Sequence, residues 1–128
     1  MAETSVITNK RRENLAKITS GAISTIPKIT HISFGDGGVD GSGNPTSPLE
    51  TQTALNNEIA RYPIDGVTYP VATTARYTVT IPKADLPGRI INEAALVDEA
   101  GELCAIKNMY NKQKDDGVSF EFTFDDEF

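Results

Sequence analysis

The stretch RIINEAALVDEAGELCAIKNM, residues 89–109, contains two apolar, strand-like segments on either side of a short polar turn. The segments are residues 89–97 and 103–109, and both are rich in aliphatic side chains. Between them the sequence DEAG, residues 98–101, suits a type I turn that is closed by a glycine bulge. The stretch therefore predicts a β-hairpin, and with it an antiparallel sheet.

Three further segments have the pattern of strands. Residues 74–81 alternate strictly between apolar and polar side chains, and this period of two places one face of a strand on a core. Residues 28–34 follow Pro27, which ends any helix, and are predicted to be extended. Residues 118–124 alternate like 74–81, and the acidic residues 125–127 are predicted to leave the sheet after them. The apolar side chains of this last strand are Val118, Phe120, Phe122 and Phe124.

Two helices are predicted. Residues 8–20 have a short apolar stripe, a side-chain oxygen of Thr8 or Asn9 that can cap the first turn, and Gly21 as a stop signal. Residues 49–60 are predicted to be helical because apolar residues recur there four positions apart.

Two loops separate these elements. The sequence VDGSGNPTSP, residues 39–48, is dense in glycine and proline, and residues 111–117 are polar. The order is therefore helix, strand, long loop and an antiparallel β-rich half. We expect an α+β fold with an N-terminal helix and an antiparallel β-rich part, in a single domain that spans residues 1–128.

The composition argues against several classes of function. One cysteine and one histidine exclude an internal disulfide and fall short of the four ligands that a structural zinc site usually needs. The net charge is −6, with +3 on residues 1–31 and −9 on the rest, and residues 115–128 hold six acids and no base. Because such an end repels phosphates, we expect no nucleic-acid partner. No run of about 18 apolar residues and no apolar signal core is present, so membrane insertion is not expected either.

The glycine-rich run from Gly35 to Asn44 is similar to a ligand-binding loop. It does not match the dinucleotide fingerprint, because the third glycine falls on Asp40, and it is not followed by the Gly-Lys-Ser or Gly-Lys-Thr of a phosphate loop. A calcium loop has oxygen ligands at alternate positions and a glutamate at the twelfth, whereas here Gly38 stands between Asp36 and Asp40 and no glutamate is at the twelfth position. A plain turn is the favoured interpretation, and a small ligand- or calcium-binding module is the alternative.

No catalytic constellation stands out. His31 and Cys104 are the candidates for a nucleophile dyad, but Cys104 follows Leu103 in an apolar strand, where burial raises the pKa of a thiol. There is no G-x-S-x-G elbow, and a chain without tryptophan and with 7% aromatic residues has few platforms for a sugar. We predict no enzymatic activity and no catalytic, cofactor-binding or metal-ligating residues.

Glu93 is the most unusual charged residue, because it alternates with apolar residues within the first strand of the hairpin. Two interpretations remain open. Either this face is buried and Glu93 has a partner such as Arg61, Arg76 or a backbone amide, or the face is exposed to solvent. The apolar residues that share this face in the pattern are Ile91, Ala95 and Val97.

The hairpin resembles the N-terminal domain of the phage tail-collar fibre family, through the pattern E-x-x-L-x-D-x-x-G-x-L-x-A that starts at Glu93. Three further features occur in the same order as in that family. They are a helix after VIT, residues 6–8, the turn FGDGG, residues 34–38, and the pattern L-x-x-E-x-x-R, residues 55–61. Ala95 departs from the family, in which glycine is common at this position.

The resemblance is strongest over residues 6–110, and residues 111–128 add the final strand and an acidic tail. It implies a structural protein that joins a fibre to the baseplate of a phage or phage-like contractile particle for host attachment, usually as a homotrimer. The implied partners are baseplate and fibre proteins, and the implied location is the tail of the particle after synthesis in the bacterial cytoplasm. Family members generally continue into a fibre shaft and a receptor-binding tip. A complete chain of this length would be an anchor or adaptor, and a fragment would have lost its fibre.

Overall fold

The computed structural model describes residues 3–128 and shows two antiparallel sheets and one helix in that range. The five-stranded sheet has the order β1-β7-β6-β2-β3, and the three-stranded sheet has the order β4-β5-β8. The bounds in chain order are β1 Thr4–Ile7, α1 Asn9–Thr19, β2 Ile29–Gly35, β3 Glu58–Pro63, β4 Gly66–Val71, β5 Thr74–Ile81, β6 Arg89–Asp98, β7 Leu103–Lys114 and β8 Phe120–Glu127.

The fold is predominantly antiparallel β, and the helix is a minor part of it. Helix α1 has 11 residues, none of them buried. The expected α+β class is therefore confirmed only in part. No helix among the described residues has the length and apolar character needed to cross a membrane.

The predicted hairpin is confirmed as β6 and β7. Gly101 has a φ of 83°, which is the left-handed conformation that glycine adopts at such a turn. Asp98 Oδ1 accepts hydrogen bonds from the amides of Ala100 and Glu102 at 2.9 and 3.0 Å. The hairpin pairs with β2 on one side and β1 on the other, so it forms the middle of the larger sheet.

The predicted first helix and two predicted strands are also confirmed. Thr8 caps α1 by accepting the amide of Arg11 at 3.3 Å, and Gly21 follows the helix with a φ of 82°. Strand β5 has the predicted bounds, and β2 lies within one residue of its predicted position.

The hydrophobic core forms two clusters on opposite faces of the larger sheet. Neighbouring residues of β6 contribute to different clusters, as the alternation of side chains along a strand requires. The larger cluster lies between the two sheets and contains Ile32, Phe34, Val79, Ile81, Ile91, Ala94, Leu96, Cys104, Ala105, Met109, Phe122 and Phe124. The smaller cluster contains Leu55, Ala95, Val97, Leu103 and Ile106.

Residues 49–60 are not a helix, so that prediction is wrong. The segment is irregular up to residue 57 and then enters β3. The side chain of Gln52 accepts a hydrogen bond from one backbone amide and donates another to the carbonyl of Ala54, which competes with helical hydrogen bonding. Leu55 anchors the segment in the smaller cluster.

The predicted loop over residues 111–117 is wrong in its first half, because β7 continues to Lys114. Lys114 pairs with Arg89 of β6, and its ammonium group donates to the carbonyl of Lys83 at 2.9 Å. Lys114 is buried, and this hydrogen bond satisfies its ammonium group inside the fold. The polar composition of the segment gave no indication of this burial.

The acidic residues 125–127 remain in β8, contrary to the prediction that they leave the sheet. Arg76 Nε binds Asp125 Oδ1 at 2.8 Å, and Arg11 Nη1 binds Asp126 Oδ2 at 2.7 Å. Strand β8 keeps its acidic end because two distant arginines compensate the charge there.

Candidate functional site

The turn FGDGG, residues 34–38, packs directly onto the middle of β6. Gly35 pairs with Glu93 across the sheet, and the amide of Gly38 donates to Asn92 Oδ1 at 2.7 Å. A Cβ atom on Gly35 would lie closer than 3.0 Å to the Glu93 carboxylate, and one on Gly38 would lie equally close to the Asn92 carbonyl. Glycine is required at both positions, because the Glu93 side chain and the Asn57 carbonyl fill the space at Gly35 and the Asn92 carbonyl fills it at Gly38.

Glu93 is fully buried, which decides between the two interpretations of its face. Its Oε1 accepts the amide of Asn57 at 2.9 Å, so the partner is a backbone amide and not Arg61 or Arg76. Its Oε2 accepts no hydrogen bond from the described residues. Burial raises the pKa of Glu93, and the nearby charge of Asp36 adds to the rise while the amide of Asn57 opposes it.

A bulge in the pairing of β6 with β7 changes which residues share a face with Glu93. The register shifts between Ile91 and Glu93. Ile91 then packs in the larger cluster, whereas Ala95 and Val97 pack in the smaller one. Glu93 shares its face with Ala95 and Val97, and the expectation that Ile91 belongs to that face is wrong.

Asp36 and Asp40, the candidate calcium ligands, are engaged with different partners. Asp36 Oδ1 accepts from Asn57 Nδ2 at 2.5 Å, and its Oδ2 lies 3.6 Å from Arg89 Nη2. Asp40 Oδ1 accepts two backbone amides of its own loop, as in an Asx turn. Across residues 3–128 no group of three or more His, Cys, Asp or Glu side chains is placed to hold a metal ion. This geometry favours the plain turn.

His31 and Cys104 lie on β2 and β7, which β6 separates in the sheet. Each has its own neighbour: His31 Nδ1 is 2.8 Å from Thr30 Oγ1, and Cys104 Sγ is 3.7 Å from Asp98 Oδ2. Burial, with the charge of Asp98 as a further cause, raises the pKa of Cys104 to about 12. This is the direction expected from the sequence, and it leaves the thiol protonated and unreactive at neutral pH.

Strand β4, which sequence reasoning missed, carries the most exposed apolar row of the described residues. All six of its residues are exposed, and the exposed fractions of Val67, Tyr69 and Val71 are 41, 68 and 58%. The pairing with β5 shifts register between Thr68 and Val71. Strand β4 is also an edge strand, so one side of its backbone is unpaired. Exposed apolar side chains that are neighbours on one strand are a larger apolar patch than the single exposed residues normal for a protein surface. The alternation in GVTYPV, residues 66–71, was the signal available in the sequence.

These features define a predominantly antiparallel β fold with an exposed apolar edge strand, in which the described His31, Cys104, Asp36 and Asp40 do not converge on one another. The chain matches the family described as phage tail-collar fibre protein, N-terminal, over residues 1–121, and it belongs to that family. No curated protein and no solved structure gives a match. The family has a structural role in phage tail fibres, is typically not enzymatic, interacts with other tail proteins and is associated with the tail of the virion.

Proposed function

We propose that this protein attaches a tail fibre to the baseplate of a contractile phage or phage-like particle, as a homotrimer that serves host attachment. The family match over residues 1–121 is the observation that carries the proposal. Its role would be mechanical: it would hold neighbouring tail proteins together and would not catalyse a reaction.

The position of the family's sequence pattern supports a scaffolding role for that pattern. Gly35 of the glycine turn pairs with Glu93 between β2 and β6 of the larger sheet, and both residues are buried. Asp98, in the same pattern, holds the hairpin turn through two backbone amides. These residues build the fold, so the contacts with other tail proteins must come from exposed surfaces.

Strand β4 is the surface that we assign to the contact between copies. Its row of Val67, Tyr69 and Val71 is exposed in a single chain, and an uncovered apolar edge strand promotes uncontrolled association. A second copy of the chain would cover this row and pair with the free edge. In a closed ring of three copies, each β4 would contact a different surface of the next copy, so no β4 edge would remain uncovered.

The test is the oligomeric state of the protein and of variants in sedimentation velocity. We expect a trimer for the wild type and a smaller species for Tyr69→Glu. Val118→Glu is the matched control, because Val118 is 54% exposed but lies in the loop before β8. A wild type that is monomeric at every concentration and that captures no baseplate protein when immobilised would overturn the proposal.

A further inference from the structure

A groove with a cavity volume of about 430 Å³ lies between β1 and β8. Each of these strands is the outermost strand of its sheet, so each has one paired edge and one free edge. The groove is lined by residues 5–7 of β1, by Ala105 and Lys107 of β7, and by residues 123–127 of β8.

The hydrogen bonds of β1 show which of its backbone groups are free. The amide of Thr8 donates to the carbonyl of Cys104 at 3.0 Å, and the preceding residues continue this antiparallel register. In such a ladder only every second residue bonds to the partner strand. The backbone of Val6 therefore bonds to β7, and Ser5 and Ile7, which line the groove, turn their N–H and C=O groups away from β7 to the open edge of β1.

The same reasoning applies to β8. The amide of Phe128 donates to the carbonyl of Thr73 at 3.0 Å, and the register continues from the pair of Glu127 with Thr74. The residues that bond to β5 are thus the even-numbered ones of β8. Thr123, Asp125 and Glu127 turn their backbone groups away from β5. Both strands that line the groove therefore have unpaired backbone donors and acceptors along their open edges.

The charge on the groove wall is negative. Asp125 and Asp126 are already paired with arginines, and Lys107 Nζ lies 3.9 Å from Glu3. Glu127 is exposed and forms no ion pair with any described residue. The uncompensated carboxylate at the end of β8 favours a cationic occupant.

The number of free edges limits what can occupy the groove. A strand that already belongs to a sheet has at most one free edge, whereas this groove offers an unpaired edge on each side. All strands of the described residues belong to one of the two sheets. The occupant that fits is a lone extended segment from another protein.

We propose that the groove between β1 and β8 binds a single extended segment of a partner protein that carries lysine or arginine, and that this segment pairs with both strand edges. The proposal deepens the proposed function, on which it rests for the identity of the partner as a tail protein. The binding geometry itself depends only on the contacts described above.

The test uses the full chain and, as a probe, a short acetylated peptide of alternating lysine and valine. We expect the peptide to bind and to slow amide hydrogen exchange at Ser5, Ile7 and Thr123. A peptide in which glutamate replaces lysine should bind at least about tenfold more weakly, because the wall is acidic. Equal affinity of the two peptides, or no binding of the lysine peptide, would overturn the proposal.

Two variants test the edge and the charge separately. Thr123→Pro removes an amide that faces the groove and no hydrogen bond to β5, so the protein should fold and lose most of its affinity for the peptide. Glu127→Lys should weaken binding about tenfold, and it carries the test if the proline variant does not fold. Glu13→Lys, on the exposed side of α1, is the control with the same change of charge and should bind as the wild type does.

Two results would contradict the groove assignment. Unchanged affinity in both Thr123→Pro and Glu127→Lys would show that the peptide binds elsewhere. Protection of the groove amides that grows with protein concentration in the absence of peptide would show that a second copy occupies the groove. Either result leaves the proposed function to be judged by its own measurements, the oligomeric state and the capture of baseplate proteins.

Discussion

Gly35 and Glu93 face each other across β2 and β6, and the carboxylate of Glu93 fills the space that a side chain at position 35 would need. The two residues belong to separate parts of the sequence pattern shared with the family, the glycine turn and the hairpin. Their contact explains why both parts occur together: the buried acid needs a neighbour without a side chain, and the turn needs a fixed strand on which to pack.

Replacing Gly35 by alanine should destabilise the protein. The new Cβ atom would lie closer than 3.0 Å to the carbonyl of Asn57 and to the Glu93 carboxylate, so the backbone must shift. Overpacking of this kind costs about 1–3 kcal/mol of unfolding free energy, which urea denaturation will measure. Gly41→Ala is the control, because a Cβ atom there meets nothing within 4 Å.

The Glu93→Gln variant should change the dependence of stability on pH. Burial raises the pKa of Glu93 above the ordinary value of 4.5. The folded state therefore binds more protons than the unfolded state above that pH, and the wild type loses stability as pH rises from 4.5 through the raised value. The glutamine variant lacks this loss. A difference in unfolding free energy that stays constant over this pH range would contradict the raised pKa.

The Asp98→Ala variant should open the hairpin turn. Two part-buried backbone amides lose their shared charged acceptor, and hydrogen bonds to a charged group contribute about 1.5–3 kcal/mol. Asp98→Asn keeps one oxygen and should lose less stability. Asp116→Ala removes an exposed acid and should be close to neutral in the same thermal and chemical denaturation series.

The Arg11→Ala variant should destabilise the contact between α1 and β8. The side chains of Arg11 and Asp126 are only 13 and 2% exposed, so removal of the arginine leaves a buried carboxylate without its partner. The expected loss is about 3–5 kcal/mol of unfolding free energy. Arg12→Ala breaks a 3.7 Å pair with Glu50 in which both side chains are more than half exposed, and it should cost no more than about 1 kcal/mol. Equal losses in the two variants would show that the buried pair adds nothing.

Cys104 should resist thiol reagents in the folded protein. Burial raises its pKa to about 12, so little thiolate exists at pH 8 and little of the sulfur is accessible. Iodoacetamide should modify the urea-unfolded chain quickly and the native chain slowly, as followed by mass spectrometry. Rapid labelling of the native protein would mean that β7 opens locally or that the thiol is not buried.

The parts of the fold that the sequence predicted are those specified by local pattern. The hairpin has a turn with its glycine at position 101, β5 alternates over its whole length, and Thr8 is a good helix cap. Each of these signals lies within the element that it specifies, so the residues alone are sufficient to locate it.

The parts that could not be predicted depend on distant partners. Strand β1 has only four residues and forms because β7 pairs with it. The acidic end of β8 stays in the sheet because Arg11 and Arg76 lie beside it. The burial of Glu93 depends on a bulge and on the amide of Asn57, and no periodicity in a single sequence reveals either feature.

The two ends of the chain are held together in the fold, and this has a consequence for synthesis on the ribosome. Thr8 bonds to Leu103, 95 residues further along the chain, and Arg11 bonds to Asp126 after 115 residues. Strand β1 has no partner until β7 has been translated, and the smaller sheet is incomplete until β8 has left the ribosome. Both sheets can therefore be completed only after nearly all of these residues have been translated. Until then the nascent chain has incomplete sheets with unpaired strands, which are prone to aggregation.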